Sequence, residues 1–208
     1  LVPVANEEAA LAMLVRDGSD TILAGERGGE AIAGFDLGNS PAEFTAERVG
    51  GRTVVLTTTN GTAAMLTADQ AAAAGLAALT NVTAAARWAL EQARDVTILC
   101  AGDNRAFSLE DAVCAGLLVA RLSDASPAAV LSEGARAALG LGRHYEARLD
   151  RLADDSGWGR KLQKQGRAAD LAWCLRADVS RMVPVFVADG FVPRPSASTV
   201  TVGSESRA

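Results

Sequence analysis

Short apolar runs alternate along the chain with longer segments in which apolar residues recur every three or four positions. The apolar runs at residues 21–24, 53–57, 96–100 and 182–187 have the length and composition of buried strands. Strands that alternate with helices of about 10–15 residues usually form parallel βαβ units covered by helices on both faces. The pattern therefore predicts an α/β fold with a mostly parallel sheet.

Helix boundaries are marked by capping residues. Asn6 is placed to cap a helix that runs to about residue 17 and closes at Gly18. Ser40-Pro41-Ala42-Glu43 has the spacing of a capping box with proline at the first helical position. Asn81 and Ser108 predict two further helix starts. The helix after Ser108 has apolar residues at helical spacing: Leu109, Ala112, Val113, Gly116, Leu117 and Ala120.

Residues 1–190 are predicted to form one α/β domain, with two α/β subdomains as an alternative, and residues 191–208 a Ser/Thr-rich tail. Two or three helices are expected between the Ser108 helix and residue 177. The chain opens on an apolar run without an initiator Met, which suggests that an upstream segment precedes it.

Composition narrows the function. Of the 208 residues, 49% are apolar and the net charge is −5, so no basic field exists to attract nucleic acid or a membrane surface. Without a signal peptide or an apolar run of about 20 residues, the expected location is cytoplasmic. Cys100, Cys114 and Cys174 lack metal-site spacing and predict buried thiols. The single histidine, His144, excludes multi-histidine sites and predicts a surface residue.

The strongest candidate for chemistry is the Thr-Thr-Thr-Asn-Gly-Thr sequence at residues 57–62, which follows a strand and opens a helix. Hydroxyls, an amide and free backbone N–H groups at a helix start suit a phosphate or sulfonate. A plain helix cap is the alternative. The candidate ligands are Thr58, Thr59, Asn60, Gly61 and Thr62.

Two other loops carry candidates. In the Gly-Glu-Arg-Gly-Gly sequence at 25–29, Arg27 suits an oxyanion and Glu26 a hard cation, or both form an exposed ion pair. Asp36, in a Gly-rich loop, suits Mg²⁺ or a general base, with an Asx-turn as the alternative. Asn39 is placed to point into the same cleft.

Weaker candidates lie later in the chain. Glu110 and Asp111 open a helix, where the helix dipole alone favours acids. Arg160 or Lys161 suits a second anionic group, although a solvated basic face is the simpler interpretation. Trp158, Trp173 and Cys174 have the helical spacing of core residues.

Taken in order, these segments resemble the 2-phosphosulfolactate phosphatase (ComB) family. The resemblance covers most of residues 20–190. The matching segments are GERGG (25–29), GFDLGNSP (34–41), TTTNGT (57–62), CAG (100–102), LED (109–111), DLAWC (170–174) and VP (183–184).

The resemblance implies a three-layer α/β/α enzyme, possible as a homodimer, that uses Mg²⁺ to hydrolyse 2-phospho-3-sulfolactate to 3-sulfolactate and phosphate, a step of coenzyme M biosynthesis. Its alternative is a non-catalytic binder or sensor of anionic metabolites. The implied catalytic residues are Asp36, Glu26 and Asp111, and the implied metal ligands are Glu26, Asp36, Glu110 and Asp111. The implied substrate-binding residues are Arg27, Asn39, Thr58, Thr59, Asn60, Gly61, Thr62 and Gly102. The family's first strand and helix have no counterpart before Leu1, and Trp158 stands where a smaller or polar residue is expected.

Overall fold

A four-stranded sheet organises the first third of the chain in the computed structural model, which describes residues 1–195. Its strands are β1 (Val2–Pro3), β2 (Thr21–Arg27), β3 (Glu30–Ala31) and β4 (Thr53–Thr57), in the order β1-β4-β2-β3. β4 pairs in parallel with both β1 and β2, and only the short β3 runs antiparallel to β2. The predicted α/β fold class with a mostly parallel sheet is confirmed.

Helices make up most of the remaining structure. The first is α1 (Glu7–Asp17), and the others are α2 (Ala46–Val49), α3 (Gly61–Met65), α4 (Val82–Glu91), α5 (Leu109–Ala125), α6 (Glu133–Tyr145), α7 (Leu152–Asp155), α8 (Gly157–Lys164) and α9 (Ala168–Cys174). Short 3₁₀ helices span Gly18–Asp20, Pro41–Glu43, Ala68–Gln70, Leu79–Asn81 and Leu149–Arg151. Within residues 1–195, none of the helices combines the length and hydropathy that a membrane span requires.

Successive residues of a strand point to opposite faces of the sheet, and in this four-stranded sheet both faces are covered. Leu23 and Val55 pack with Ala10 of α1 on one face. Ile22 and Val54 pack on the other face against residues of the 37–49 segment. The carboxyl ends of β2 and β4 are left uncovered, and the loops that follow these parallel strands lie there.

The second half of the chain has its own core. Residues of α4, α5 and the segment 145–152 form one buried cluster. The predicted strand at 182–187 is present as β5 (Met182–Val187), but it pairs antiparallel with β6 (Gly190–Pro195). Residues 191–195, placed in the tail by the sequence analysis, thus belong to a strand, and residues 196–208 of that tail lie outside the described residues.

The prediction of a strand at residues 96–100 is wrong. Within residues 1–195 this segment joins no β-ladder. Ile98 packs against the cluster around α5, whereas Val96 and Leu99 are 44% and 60% exposed. An apolar run predicts a strand only if a neighbouring strand accepts its backbone hydrogen bonds, and no described neighbour does so.

Two predicted caps are confirmed and a third is wrong. Asn6 Oδ1 accepts a hydrogen bond from Ala9 N, and Ser108 Oγ accepts one from Asp111 N at the start of α5. Ser40 caps no α-helix: only a 3₁₀ helix follows it, and its hydroxyl makes no capping bond. Its Oγ instead donates to Asp170, 130 residues away, so a tertiary contact replaces the local one.

Several burial predictions are also corrected. Cys100 and Cys174 are exposed rather than buried, and Trp173 on α9 is 49% exposed. Only Cys114 lies largely inside, where burial, followed by the charge of Asp111, raises its thiol pKa to about 12. His144 is on the surface, as predicted.

Helices α5 and α6 touch through glycines, which yields a stability prediction. A Cβ added to Gly116 would lie 1.9 Å from the carbonyl oxygen of Ala138, so Gly116→Ala forces the helix backbones apart. We expect a loss of about 1–3 kcal/mol in the free energy of unfolding, measured by urea denaturation.

Gly140 on α6 provides the matched control, because a Cβ there meets no atom within 4 Å. Gly140→Ala should stabilise the protein by roughly 0.5–1 kcal/mol, the difference in helix propensity. Equal effects of the two substitutions would contradict the close contact between α5 and α6.

Candidate active site

Glu26, the penultimate residue of β2, joins two of the loops singled out in the sequence. Its side chain is only 4% exposed. Oε1 accepts a hydrogen bond of 2.6 Å from Thr59 N, and Oε2 accepts bonds from Gly29 N at 2.7 Å and Thr59 Oγ1 at 3.0 Å. Three donors thus occupy this carboxylate, which holds the turn after β2 against the loop after β4.

Close backbone packing brings these loops together. Gly25 lies opposite Thr57 in the parallel β2–β4 ladder, and a Cβ on Gly25 would lie 2.2 Å from the carbonyl oxygen of Thr57. Only glycine fits this position without moving β4 away. The glycine predicted from a loop motif therefore has a packing role at the edge of the sheet.

Arg27 is engaged by protein groups on three sides. Its two terminal nitrogens donate to the carbonyl of Glu26 and to Thr57 Oγ1, each at 2.9 Å. Its Nε lies 2.9 Å from Glu7 Oε1, with both side chains about 40% exposed. An anion that binds Arg27 would compete with Glu7, and the predicted role of Arg27 in substrate binding remains a prediction.

The loop at residues 57–62, which we term the threonine loop, uses most of its hydroxyls internally. Thr58 N donates to Thr62 Oγ1, and Thr62 N donates to Thr58 Oγ1, each at 3.1 Å. Thr59 Oγ1 donates to Glu26 and accepts from Gly28 N. Asn60 is different, because its side chain reaches a remote loop: Asn60 Oδ1 accepts a 2.9 Å bond from Asn104 N.

That remote loop, residues 100–108, is held to the acidic start of α5. Asp111 Oδ2 accepts a 2.8 Å hydrogen bond from Gly102 N, and Glu110 Oε2 accepts a 3.0 Å bond from Ser108 Oγ. Glu110 Oε1 is buried and has no hydrogen-bond partner in the described part of the chain. A buried carboxylate oxygen without a donor is costly unless a cation, a water or a ligand satisfies it.

Asp36 and Asn39 occupy different surroundings from the threonine loop. Asp36 Oδ2 accepts a 2.9 Å bond from Leu23 N, in the middle of β2, so its carboxylate satisfies the strand edge. Asn39 Oδ1 accepts from Arg167 at 2.9 Å. Both contacts fix backbone or loop positions, and the predicted catalytic and binding roles of these two residues are still predictions.

Arg167 is a structural residue that the sequence analysis did not find. It donates to the Gly29 carbonyl and forms an ion pair with Asp170, whose carboxylate also receives the Ser40 hydroxyl. These residues line a groove of about 380 Å³ between α9 and the hairpin formed by β2 and β3. Arg167 stands in a polar stretch without a local motif, and the only available signal was the nearby DLAWC segment.

Four acidic residues were predicted to bind Mg²⁺. Among residues 1–195, no three His, Cys, Asp or Glu side chains lie close enough to hold a metal ion, so the four predicted carboxylates do not converge on one point. Glu110 and Asp111 follow each other at the start of α5, and Mg²⁺ is commonly held by one or two carboxylates together with substrate phosphate oxygens and water. The unpartnered Glu110 Oε1 is the atom that such an ion would satisfy.

Comparison with known proteins shows one consistent similarity. The model of the 2-phosphosulpholactate phosphatase family matches residues 1–189. A protein of Deinococcus radiodurans named probable 2-phosphosulfolactate phosphatase is 42% identical over 189 residues, covering 89% of this chain and 77% of the relative. A protein of Symbiobacterium thermophilum with the same name is 37% identical over 188 residues, covering 89% and 80%.

Proposed function

We propose, since this chain belongs to the 2-phosphosulpholactate phosphatase family, that it hydrolyses the phosphate monoester of a small anionic acid. The specific reaction is the conversion of 2-phospho-3-sulfolactate to 3-sulfolactate and phosphate. One observation carries the location of the site: the Asn104–Asn60 hydrogen bond brings the threonine loop next to the acidic start of α5. Reaction and site are thus proposed together at the junction of the two halves of the chain.

Hydrolysis at this junction requires charge neutralisation and an aligned water more than covalent help from the protein. Asn104 N uses only Oδ1 of Asn60, and within residues 1–195 no hydrogen bond engages the side-chain nitrogen, which is therefore available to a phosphate oxygen. Asp111 keeps the 100–108 loop in place by accepting a hydrogen bond from Gly102 N. Glu26 acts indirectly, because its carboxylate fixes the position of Thr59.

Mg²⁺ is the proposed cofactor, with Glu110 and Asp111 as the residues that would hold it. When bound, the ion supplies positive charge to the phosphate oxygens and lowers the pKa of a coordinated water. Of the three carboxylates predicted to be catalytic, we assign only Asp111 to the reacting phosphate. Glu26 and Asp36 hold backbone N–H groups, and we propose that they shape the loops on which the site is built.

Phosphate release from 2-phospho-3-sulfolactate by the purified full-length protein is the direct test. We expect turnover on the order of 10 s⁻¹, measured as inorganic phosphate, with loss of activity in EDTA and recovery on addition of Mg²⁺. Activity that persists in EDTA would refute the cofactor but not the reaction. Stabilisation of the protein by sulfolactate without any phosphate release would favour the binder or sensor instead.

A further inference from the structure

The 100–108 loop ends in a tight turn whose sequence conflicts with its shape. Asp103 N donates to the Ala106 carbonyl at 3.1 Å, and Ala106 N donates to the Asp103 carbonyl at 2.8 Å. Between them, Asn104 and Arg105 have φ of +50° and +66°. Two consecutive positive φ angles define a type I′ turn, for which Asn-Gly is the favoured sequence.

Arg105 therefore stands where glycine is preferred. Asn tolerates the left-handed region, but the Cβ of an arginine is unfavourable there. Residues kept against a local conformational preference concentrate at functional sites, where the side chain has a role that offsets its cost. The conflict at Arg105 directs attention to what its guanidinium can reach.

The surroundings of Arg105 suit a small anion. Arg105 lines a cavity of about 230 Å³ together with Gly102, Phe107 and Ser108, next to the start of α5. The volume is below that of pockets for drug-sized ligands and fits a smaller molecule. In the described residues 1–195 no hydrogen bond or ion pair involves the Arg105 side chain, unlike Arg27 or Arg167, so its donors are available.

The position of the turn relative to the proposed reaction centre is fixed. Asn104, the neighbour of Arg105, donates to Asn60 of the threonine loop, and Asp111 holds Gly102 at the other end of the 100–108 loop. Asn60 and Asp111 do not line the cavity, but both bind the loop that forms it, so a phosphate held by them would lie beside this loop. A guanidinium binds oxyanions with two parallel hydrogen bonds, which gives both charge and orientation.

From these observations we propose that Arg105 binds the second oxyanion of the substrate, its sulfonate or carboxylate, and thereby determines specificity. This inference rests on the proposed phosphatase function and adds a residue that selects esters by the sulfonate or carboxylate they carry beside the phosphate. It predicts that the contribution of Arg105 depends on which charged group the ester carries. A residue with only a structural role would affect all esters alike.

Three esters separate the possibilities: 2-phospho-3-sulfolactate, 2-phospholactate, which lacks the sulfonate, and the phosphate ester of isethionate, which lacks the carboxylate. Arg105→Gln should lower kcat/KM for 2-phospho-3-sulfolactate about 100-fold, since hydrogen bonds to charged groups are strong. If the sulfonate is bound, the loss disappears with 2-phospholactate. If the carboxylate is bound, it disappears with the isethionate ester.

Arg105→Gly guards against a folding artefact, because glycine relieves the positive φ. Its Tm should be at least as high as that of the parent protein, while its kcat/KM for 2-phospho-3-sulfolactate falls as in Arg105→Gln. Arg143→Gln, a change of an exposed arginine on α6, should leave kcat/KM unchanged and is the matched control.

Two results would overturn the assignment of Arg105. One is an unchanged kcat/KM in both Arg105 variants, and the other is an equal loss for all three esters. If the parent protein releases phosphate from none of the esters, the proposed function itself fails and takes this inference with it. Hydrolysis by the parent with unaltered variants refutes the role of Arg105 alone.

Discussion

Asp111→Asn should lower kcat for phosphate release by about 100-fold or more, equivalent to roughly 2.7 kcal/mol of transition-state stabilisation, while the protein remains folded. The amide oxygen of Asn can still accept the hydrogen bond from Gly102 N, so the 100–108 loop keeps its anchor. Only the negative charge is lost. Steady-state phosphate release, with unfolding curves measured in parallel, separates lost chemistry from lost structure.

The Mg²⁺ requirement gives a second readout for the same variant. If Asp111 and Glu110 hold the ion, the Mg²⁺ concentration for half-maximal activity rises in Asp111→Asn and in Glu110→Gln. Asp124→Asn, in the last turn of α5, removes an equal charge far from the helix start and should leave both kcat and the Mg²⁺ requirement unchanged.

Asp36→Asn is the informative comparison, because the sequence pattern gives Asp36 the same role as Asp111. In the structure Asp36 accepts from Leu23 N inside β2, and an Asn retains that bond. We therefore expect Asp36→Asn to keep most of its turnover. A large loss in Asp36→Asn together with full activity in Asp111→Asn would reverse our assignment.

The sequence predicts the fold well where local chemistry decides the structure. Asn6 and Ser108 begin helices because their side chains bond to backbone groups within three residues. The strands β2 and β4 form because their apolar residues are buried on both faces of the sheet. Family membership was likewise predicted from the ordered loop motifs and is confirmed by the family match.

Prediction fails where a distant partner decides the outcome. Ser40 has the pattern of a helix cap, but its hydroxyl donates to Asp170 across the fold and accepts no capping bond. The 96–100 segment has the composition of a strand, but pairing depends on a neighbour that composition does not specify. Arg167 could not be predicted for the same reason: its contacts to Gly29 and Asn39 span more than 120 residues.

The candidate site shows the same division. The 25–29 and 57–62 motifs lie in loops that meet at the carboxyl ends of β2 and β4, whereas Asp36 and Asn39 have other partners. The motifs do not indicate how each polar atom is used: Glu26 and Thr62 have the residue types of ligands, but Thr59 N and Gly29 N donate to the Glu26 carboxylate and Thr58 N donates to the Thr62 hydroxyl. Whether a loop side chain faces a ligand or its own backbone depends on the final geometry, which residue type alone leaves open.

Glu26→Gln provides the sharpest test of whether Glu26 is a ligand or only a structural residue that joins the turn after β2 to the loop after β4. The carboxylate accepts three hydrogen bonds in a buried position, whereas a Gln side chain must turn an N–H₂ group toward Gly29 N or Thr59 N. Hydrogen bonds to a buried charge are strong, so their loss is costly. Two N–H donors that face each other add a further cost. We expect the free energy of unfolding to fall by about 3 kcal/mol, equivalent to a decrease in Tm of roughly 6–12 °C.

The outcome separates the two roles because the predicted loss does not depend on metal. If Glu26 only holds the two loops together, the difference in urea midpoint between the parent protein and Glu26→Gln is the same with Mg²⁺ or with EDTA, and Glu30→Gln in the exposed β3 changes stability little. If Glu26 were instead a metal ligand, EDTA would destabilise the parent protein more than Glu26→Gln, and the difference between them would shrink. Because three protein donors already occupy the carboxylate, we expect EDTA to leave the difference between parent and variant unchanged.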